Sequence, residues 1–155
     1  MAAADQIEFK NKLKQFCQDA IENRINVARE AMQRAQEAAN TEEKSSAGDK
    51  YETARAMGHL QKDMHARQIH EYEKELAALY AINAATVCDT VQPGCFFETA
   101  TLSFFVAAGL GKRLVNGKTI LFLSASAPLA LALRNKKTGD PFHFAGSTVT
   151  IESLY

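Results

Sequence analysis

Four carboxylates, Glu42, Glu43, Asp49 and Glu52, gather on and beside a ten-residue polar stretch, Asn40 to Asp49 (NTEEKSSAGD). Acidic side chains are hard oxygen donors, and a solvated turn is their ordinary setting. Asp49 also fits a helix cap. Ser46-Ala47-Gly48-Asp49 has the S-x-x-D form of a capping box, and a carboxylate there meets the positive end of the helix dipole. His59 and Asp63 stand four apart, a spacing that can hold a metal on one helix face, but no third ligand stands three or four residues beyond either of them. Gly109-Leu110-Gly111 begins like a nucleotide-binding glycine pattern and continues Lys112-Arg113-Leu114 with no helix to follow, so it reads as a turn or bulge. Cys17, Cys88 and Cys95 form an odd set without a CxxC, which excludes a disulfide framework and zinc spacing and leaves buried free thiols. Nothing in the sequence orients a Cys/His nucleophile.

Bulk properties narrow the classes further. The 155 residues carry 18 basic and 18 acidic side chains. A chain without a basic excess does not grip nucleic acid by phosphate contacts. Residues 1–83 are slightly acidic, net −2, and residues 84–155 slightly basic, net +2. The N-terminus has no apolar core of a signal peptide. The most apolar stretch, Thr119 to Leu133, is too short to span a bilayer and is broken by Ser124, Ser126 and Pro128. A cytoplasmic protein is expected.

The elements that must position the acids are two long helical runs on either side of them. In the first, about Asp5 to Ala39, apolar residues recur at Phe9, Leu13, Phe16, Ala20, Val27, Ala31 and Ala35. Alanine replaces leucine toward its end, so a second helix can approach closely. In the second, about Asp49 to Ala81, the stripe is Tyr51, Ala54, Met57, Leu60 and Met64, then Ile69, Tyr72, Leu76 and Leu79, with a register shift at the five-residue step after Met64. The two stripes predict an antiparallel coiled-coil hairpin over residues 1–83 with its tip at 40–49. From residue 84 the composition turns to β-branched and aromatic residues. Strands are expected at Cys95–Thr99, Leu102–Ala108, Leu114–Val115, Lys118–Leu123, Phe142–Phe144 and Thr148–Leu154, with a hairpin at Asn116-Gly117 and a turn at Thr138–Pro141. Pro128 opens a short helix, Leu129 to Arg134. The fold class is α+β, with a small twisted sheet and one short helix over residues 84–155.

Residues Ala127 to Asp140 (APLALALRNKKTGD) resemble the C-terminal motif of bacterial Gre-type transcript elongation factors, Ser-Pro-x-Gly/Ala-x-Ala/Ser-Leu-x-Gly-x-x-x-Gly-Asp. Pro128, Ala130, Ala132, Leu133, Gly139 and Asp140 match. Ala127 stands where Ser is usual, and Asn135 where Gly is usual. Lys50 to Arg55 (KYETAR) resembles the start of that family's second helix. The resemblance implies an FKBP-like C-terminal domain that docks on RNA polymerase at the rim of its secondary channel, with the hairpin entering the channel. On this chain the docking candidates are Ala127, Pro128, Leu129, Ala130, Leu131, Leu133, Asn135, Gly139 and Asp140. The tip candidates are Glu42, Glu43, Asp49 and Glu52.

The same resemblance implies no catalytic centre and no cofactor of the protein's own. It implies an acidic tip that stimulates cleavage of backtracked RNA, with Glu42 and Glu43 sharing a Mg²⁺ in the polymerase's active centre. Counted back from Tyr51 without gaps, the family's tip Asp and Glu fall on Lys44 and Ala47. Some relatives enter the channel and modulate the enzyme without cleavage. RNA polymerase is the expected partner, nucleic acid is met only through it, no membrane is involved, and the free protein is expected to be a monomer. Two other classes compete: a prolyl isomerase with a pocket drawn from Phe96, Phe97, Phe104, Phe105, Phe122, Phe142 and Phe144, and an oligomerisation or chaperone module that assembles through the hairpin.

Overall fold

Two long helices come first. The computed structural model describes residues 2–44 and 49–155, and of residues 42–44 and 49–51 it describes the backbone. Helix α1 is Ala3–Lys44 and helix α2 is Asp49–Tyr80. At 42 and 32 residues they are about 63 and 48 Å long. α1 continues past the end expected at Ala39, because no Gly or Pro interrupts residues 40–44 and local side-chain bonds span the last turns. Gln36 Nε2 donates to Asn40 Oδ1 at 3.1 Å, and Thr41 Oγ1 donates to the Glu37 carbonyl at 3.0 Å. Glu42 and Glu43 therefore lie on a helix backbone and Asp49 begins the next helix. The capping box expected from Ser46 falls on residues outside those described.

Spatially the chain divides into two compact units, Met1–Gln18 with Ala78–Tyr155, and Asp19–Ala77. The second unit is a pair of antiparallel helical segments. Arg24 pairs with Glu75 at 3.9 Å and Arg29 with Glu73 at 3.5 Å, so numbers rise along one helix as they fall along the other. Its seam holds the buried Ile21, Ile25, Ala28 and Ala35 of α1. From α2 it takes the buried Ile69 and the half-buried Ala54, Gly58, His65, Tyr72 and Leu76. Near Gly58 the helices nearly touch: a Cβ there would stand 2.8 Å from Ala39 Cβ. The alanine-rich close approach expected from the sequence is present. Of the α2 stripe assigned to the seam, Ala54, Ile69, Tyr72 and Leu76 lie in it, whereas Met57, Leu60 and Met64 do not. Met57, Leu60 and Met64 are 52, 61 and 48% exposed, and Val27 is 54% exposed. The seam runs through Gly58 and His65, one position away from Met57 and Met64. A glycine admits the partner backbone more closely than a leucine does, and that closeness turns the larger side chains outward.

The first unit is built around a five-stranded mixed sheet in the order β3-β4-β2-β1-β7. Its strands are β1 (Phe96–Glu98), β2 (Ser103–Ala107), β3 (Gly111–Val115), β4 (Lys118–Ser124) and β7 (Ser153–Leu154). β2 and β4 run parallel and the other pairs antiparallel. The register sets Phe96 beside Phe105 and Phe105 beside Phe122, and sets Phe97 beside Phe104. Alternation then sends the two sets to opposite faces. On one face Phe9 and Phe16 of α1 pack on Phe96 and Phe122, with ring centroids 5.1 and 5.3 Å apart. The other face carries the main core, in which Phe97, Phe104, Val106 and Leu123 meet Ala130, Leu133, Phe142 and Ile151. Both faces are covered, so all five residues of β2 are buried and after Ser103 its sequence runs apolar without alternation.

Asn116 and Gly117 turn the β3–β4 hairpin with φ of 51° and 78°, the positive pair that a two-residue type I′ turn demands. A small second sheet pairs β5 (Pro141–Phe144) with β6 (Ser147–Thr150). The strand expected over Thr148–Leu154 is thus two strands in different sheets. Between them Ile151 is fully buried. Its N–H donates to the Asp140 carbonyl and its carbonyl accepts from Gly139 N–H, which takes it out of either ladder. Among the described residues no helix is long and apolar enough to cross a membrane.

Candidate functional site

Two sets of residues stand out from the sequence, the acids beside the 45–48 break and the surface around the short helix α3 (Pro128–Leu133). The side chains of Glu42, Glu43 and Asp49 lie outside the described residues. Their backbones lie in the last turn of α1 and at the first residue of α2. Glu52 is exposed on the first turn of α2. His59 and Asp63 are likewise exposed, and among the described residues no group of three metal-ligating side chains forms.

α3 is built where Pro128, lacking an N–H, takes the first turn. Ala127 is its N-cap, extended at φ −62° and ψ 145°, and offers no side chain to the helix's free N–H groups. The helix buries Ala130 and Leu133 in the main core and leaves Leu129 half-buried against it. Pro128 and Ala132 are exposed, and Leu131 is 53% exposed. The docking candidates therefore split. Pro128 and Leu131 offer surface, whereas Ala130 and Leu133 hold the helix down.

The residues that follow explain the rest of the motif. Asn135 has φ 71°, the left-handed region that glycine and, after it, asparagine occupy at helix ends. Its N–H donates to the Val91 carbonyl at 3.0 Å, and Lys136 returns a carbonyl to Val91 N–H at 2.7 Å. Gly139 has φ 95°. The Asp140 carboxylate accepts from Lys137 N–H at 2.9 Å, which closes the turn and commits that carboxylate locally. The run Arg134-Asn135-Lys136-Lys137 follows the exposed Leu131; in it Arg134 and Lys137 are exposed and Lys136 is half-buried.

The remaining chemistry-bearing groups are interior. Cys17, Cys88 and Cys95 are free and buried, as expected. Burial pushes the Cys17 and Cys95 thiols up to about 12, and burial, with Glu98 adding to it, pushes the Tyr155 phenol up to about 12. The phenylalanines considered for an isomerase pocket pack on one another: Phe97 stacks on Phe104 at 4.7 Å, and Phe142 meets both edge-on. His143 is exposed on β5 beside Thr148. Gly111 has φ 74° at the start of β3, and Leu110 N–H donates to the Ala108 carbonyl, as a turn requires.

Comparison with protein-family models, with curated proteins and with solved structures finds no match to this chain.

Proposed function

We propose that this protein is an RNA polymerase-binding elongation factor of the Gre type, which carries an acidic helix-hairpin end into the enzyme's secondary channel and acts on its active centre. One observation carries the reading. Across Ala127–Asp140 the motif positions coincide with structural demands. Proline opens the helix, small Ala130 and Leu133 pack inward, and both glycine-type positions, Asn135 and Gly139, have positive φ, 71° and 95°. Asparagine is among the few residues that replace glycine in that conformation, so the departure at 135 keeps the geometry.

In this reading Pro128 and Leu131 make the apolar part of the docking surface, and Arg134 and Lys137 supply its charge toward an acidic partner. Glu42, Glu43, Asp49 and Glu52 are the groups presented at the polymerase's active centre. Carboxylates suit Mg²⁺ there, and Glu42 and Glu43 are the pair that would share it. The protein itself performs no chemistry; the polymerase does. Cleavage and modulation without cleavage are two outcomes of the same docking. Lys44 and Ala47, at the family's acidic places, weigh toward modulation.

The experiment is a cognate polymerase stalled in a backtracked complex. Added protein is expected to bind, and Leu131→Glu with Arg134→Glu to abolish binding. Shortened RNA that disappears with Glu42→Ala/Glu43→Ala identifies a cleavage factor. Binding with altered elongation and no shortened RNA identifies a modulator. Absence of binding overturns the proposal.

A second reading, assembly through the hairpin, is favoured by the exposed Met57, Leu60 and Met64 on one face of α2. Sedimentation tests it: a concentration-dependent dimer lost on Leu60→Gln supports assembly, and a monomer at all concentrations removes it.

A further inference from the structure

Lys10 is fully buried, although a lysine head is among the most costly groups to take out of water. Its Nζ donates to the Thr86 carbonyl at 2.6 Å and lies 3.7 Å from Cys88 Sγ. Neither partner is an acid. Lys14, one turn along α1, makes the first kind of contact alone, donating to the Ile82 carbonyl at 2.6 Å. Pinning α1 to the connector between α2 and β1 therefore does not require a sulfur. At Lys10 a side-chain nitrogen and an oxidisable thiol are held together in the interior.

We propose that Lys10 and Cys88 are an oxidant-triggered cross-linking pair. A hydroperoxide, for which hydrogen peroxide serves, oxidises the Cys88 thiol to a sulfenic acid and is reduced to water. The Lys10 nitrogen then attacks that sulfur. An S–N bond forms, the S–O and one N–H bond break, and a second water leaves. Thiol, amine and one peroxide thus give a sulfenamide and two waters, with sulfur the atom oxidised. Sulfenic acids condense with nitrogen in this way when an amide or amine is at hand.

Three features favour capture. The amine is already in contact, which makes the second step intramolecular. Cys88 is only 4% exposed, so once a peroxide has reached the sulfur, the adjoining Lys10 nitrogen competes with few molecules arriving from solvent. Cys88 also belongs to no helix or strand, so its backbone is free of ladder bonds that would resist closing the gap. The bond would join residues 78 apart in sequence, tying the first turns of α1 to the connector until a thiol reductant releases it.

The test treats the full-length protein with hydrogen peroxide and follows intact mass and tryptic peptides. The expected product is about two mass units lighter. In it peptide 1–12, uncut after Lys10, is joined to peptide 75–112, and dithiothreitol separates them. Cys95→Ala retains the product; Lys10→Met and Cys88→Ser each abolish it. Should Lys10→Met fail to fold, Lys10→Arg, which keeps a donor but not the amine, serves in its place. The same mass loss persisting without the lysine and vanishing with Cys95→Ala would identify a Cys88–Cys95 disulfide and overturn the proposal. So would oxygen accumulating on Cys88 with peptides 1–12 and 75–112 unlinked, or no reaction at all.

Discussion

In the sheet unit Phe96, Phe97, Phe104, Phe105, Phe122 and Phe142 are all buried, on both faces of one sheet. In the helical unit the seam closes on Ile, Ala and a glycine, while Met57, Leu60, Met64 and Val27 stand in solvent. The first arrangement uses large side chains to fill a fixed space between layers. The second uses small ones to bring two backbones together and leaves large apolar groups outside. The difference separates a region that closes over its large apolar groups from one that leaves several of them exposed.

The largest expected effect falls in the sheet unit. Phe104 stacks on Phe97 and meets Phe142 and Phe144 edge-on, so Phe104→Ala is expected to lose about 3–5 kcal/mol by urea denaturation. A loss under about 1 kcal/mol would mean that the core relaxes around the missing ring, and the contrast with the hairpin would fail.

Gly58→Leu comes next. A Cβ at 58 meets Ala39 Cβ at 2.8 Å, and a leucine must push the helices apart, at a cost of about 1–3 kcal/mol typical of overpacking. Ala39→Gly should recover part of that loss, because it removes the atom struck. Equal losses in the single and double variants would place the strain elsewhere than the Gly58–Ala39 contact.

The Gly58 contact also marks a limit of what the sequence made legible. The Asn116-Gly117 hairpin could be placed because a two-residue turn between apolar strands has one common solution. The start of α3 could be placed because Pro128 suits only the first turn. The α2 seam between Met57 and Met64 could not. Met57, Leu60 and Met64 satisfy the same three-and-four spacing as a buried stripe, and a hydrophobicity pattern favours them over Gly58 and His65. Only the distance between the helices decides, and distance is a tertiary quantity. Lys10 was missed for a related reason, since no local pattern distinguishes a lysine that will be buried from one that will be solvated. The division of Thr148–Leu154 turns on Ile151 entering the core, which depends on Asp140 and Gly139. At the candidate site, the short helix and the turn after it could be placed, but which leucine of the helix faces out could not.

A gain is expected at α3. Ala127 is in capping geometry without a capping group, so Ala127→Ser should stabilise the sheet unit by about 0.5–1 kcal/mol. The measurement is the urea midpoint, with Ala127→Gly as the control that keeps the conformation accessible but adds no hydroxyl. A serine no better than alanine would mean that the helix's first N–H groups are already satisfied by solvent.

The smallest effect is the most informative for the comparison. Leu60 is 61% exposed, and Leu60→Gln should leave the free protein's stability within about 0.5 kcal/mol of the original. A buried leucine replaced by an amide would lose several times that, through both the lost transfer energy and an unpaired polar group. Stability alone therefore decides whether α2 presents Leu60 outward. If Leu60→Gln is neutral to the free protein yet weakens polymerase binding or self-association, the stripe is a contact surface. If it unfolds the hairpin, the seam runs through Leu60 as its spacing implies, and the contrast between the two units dissolves.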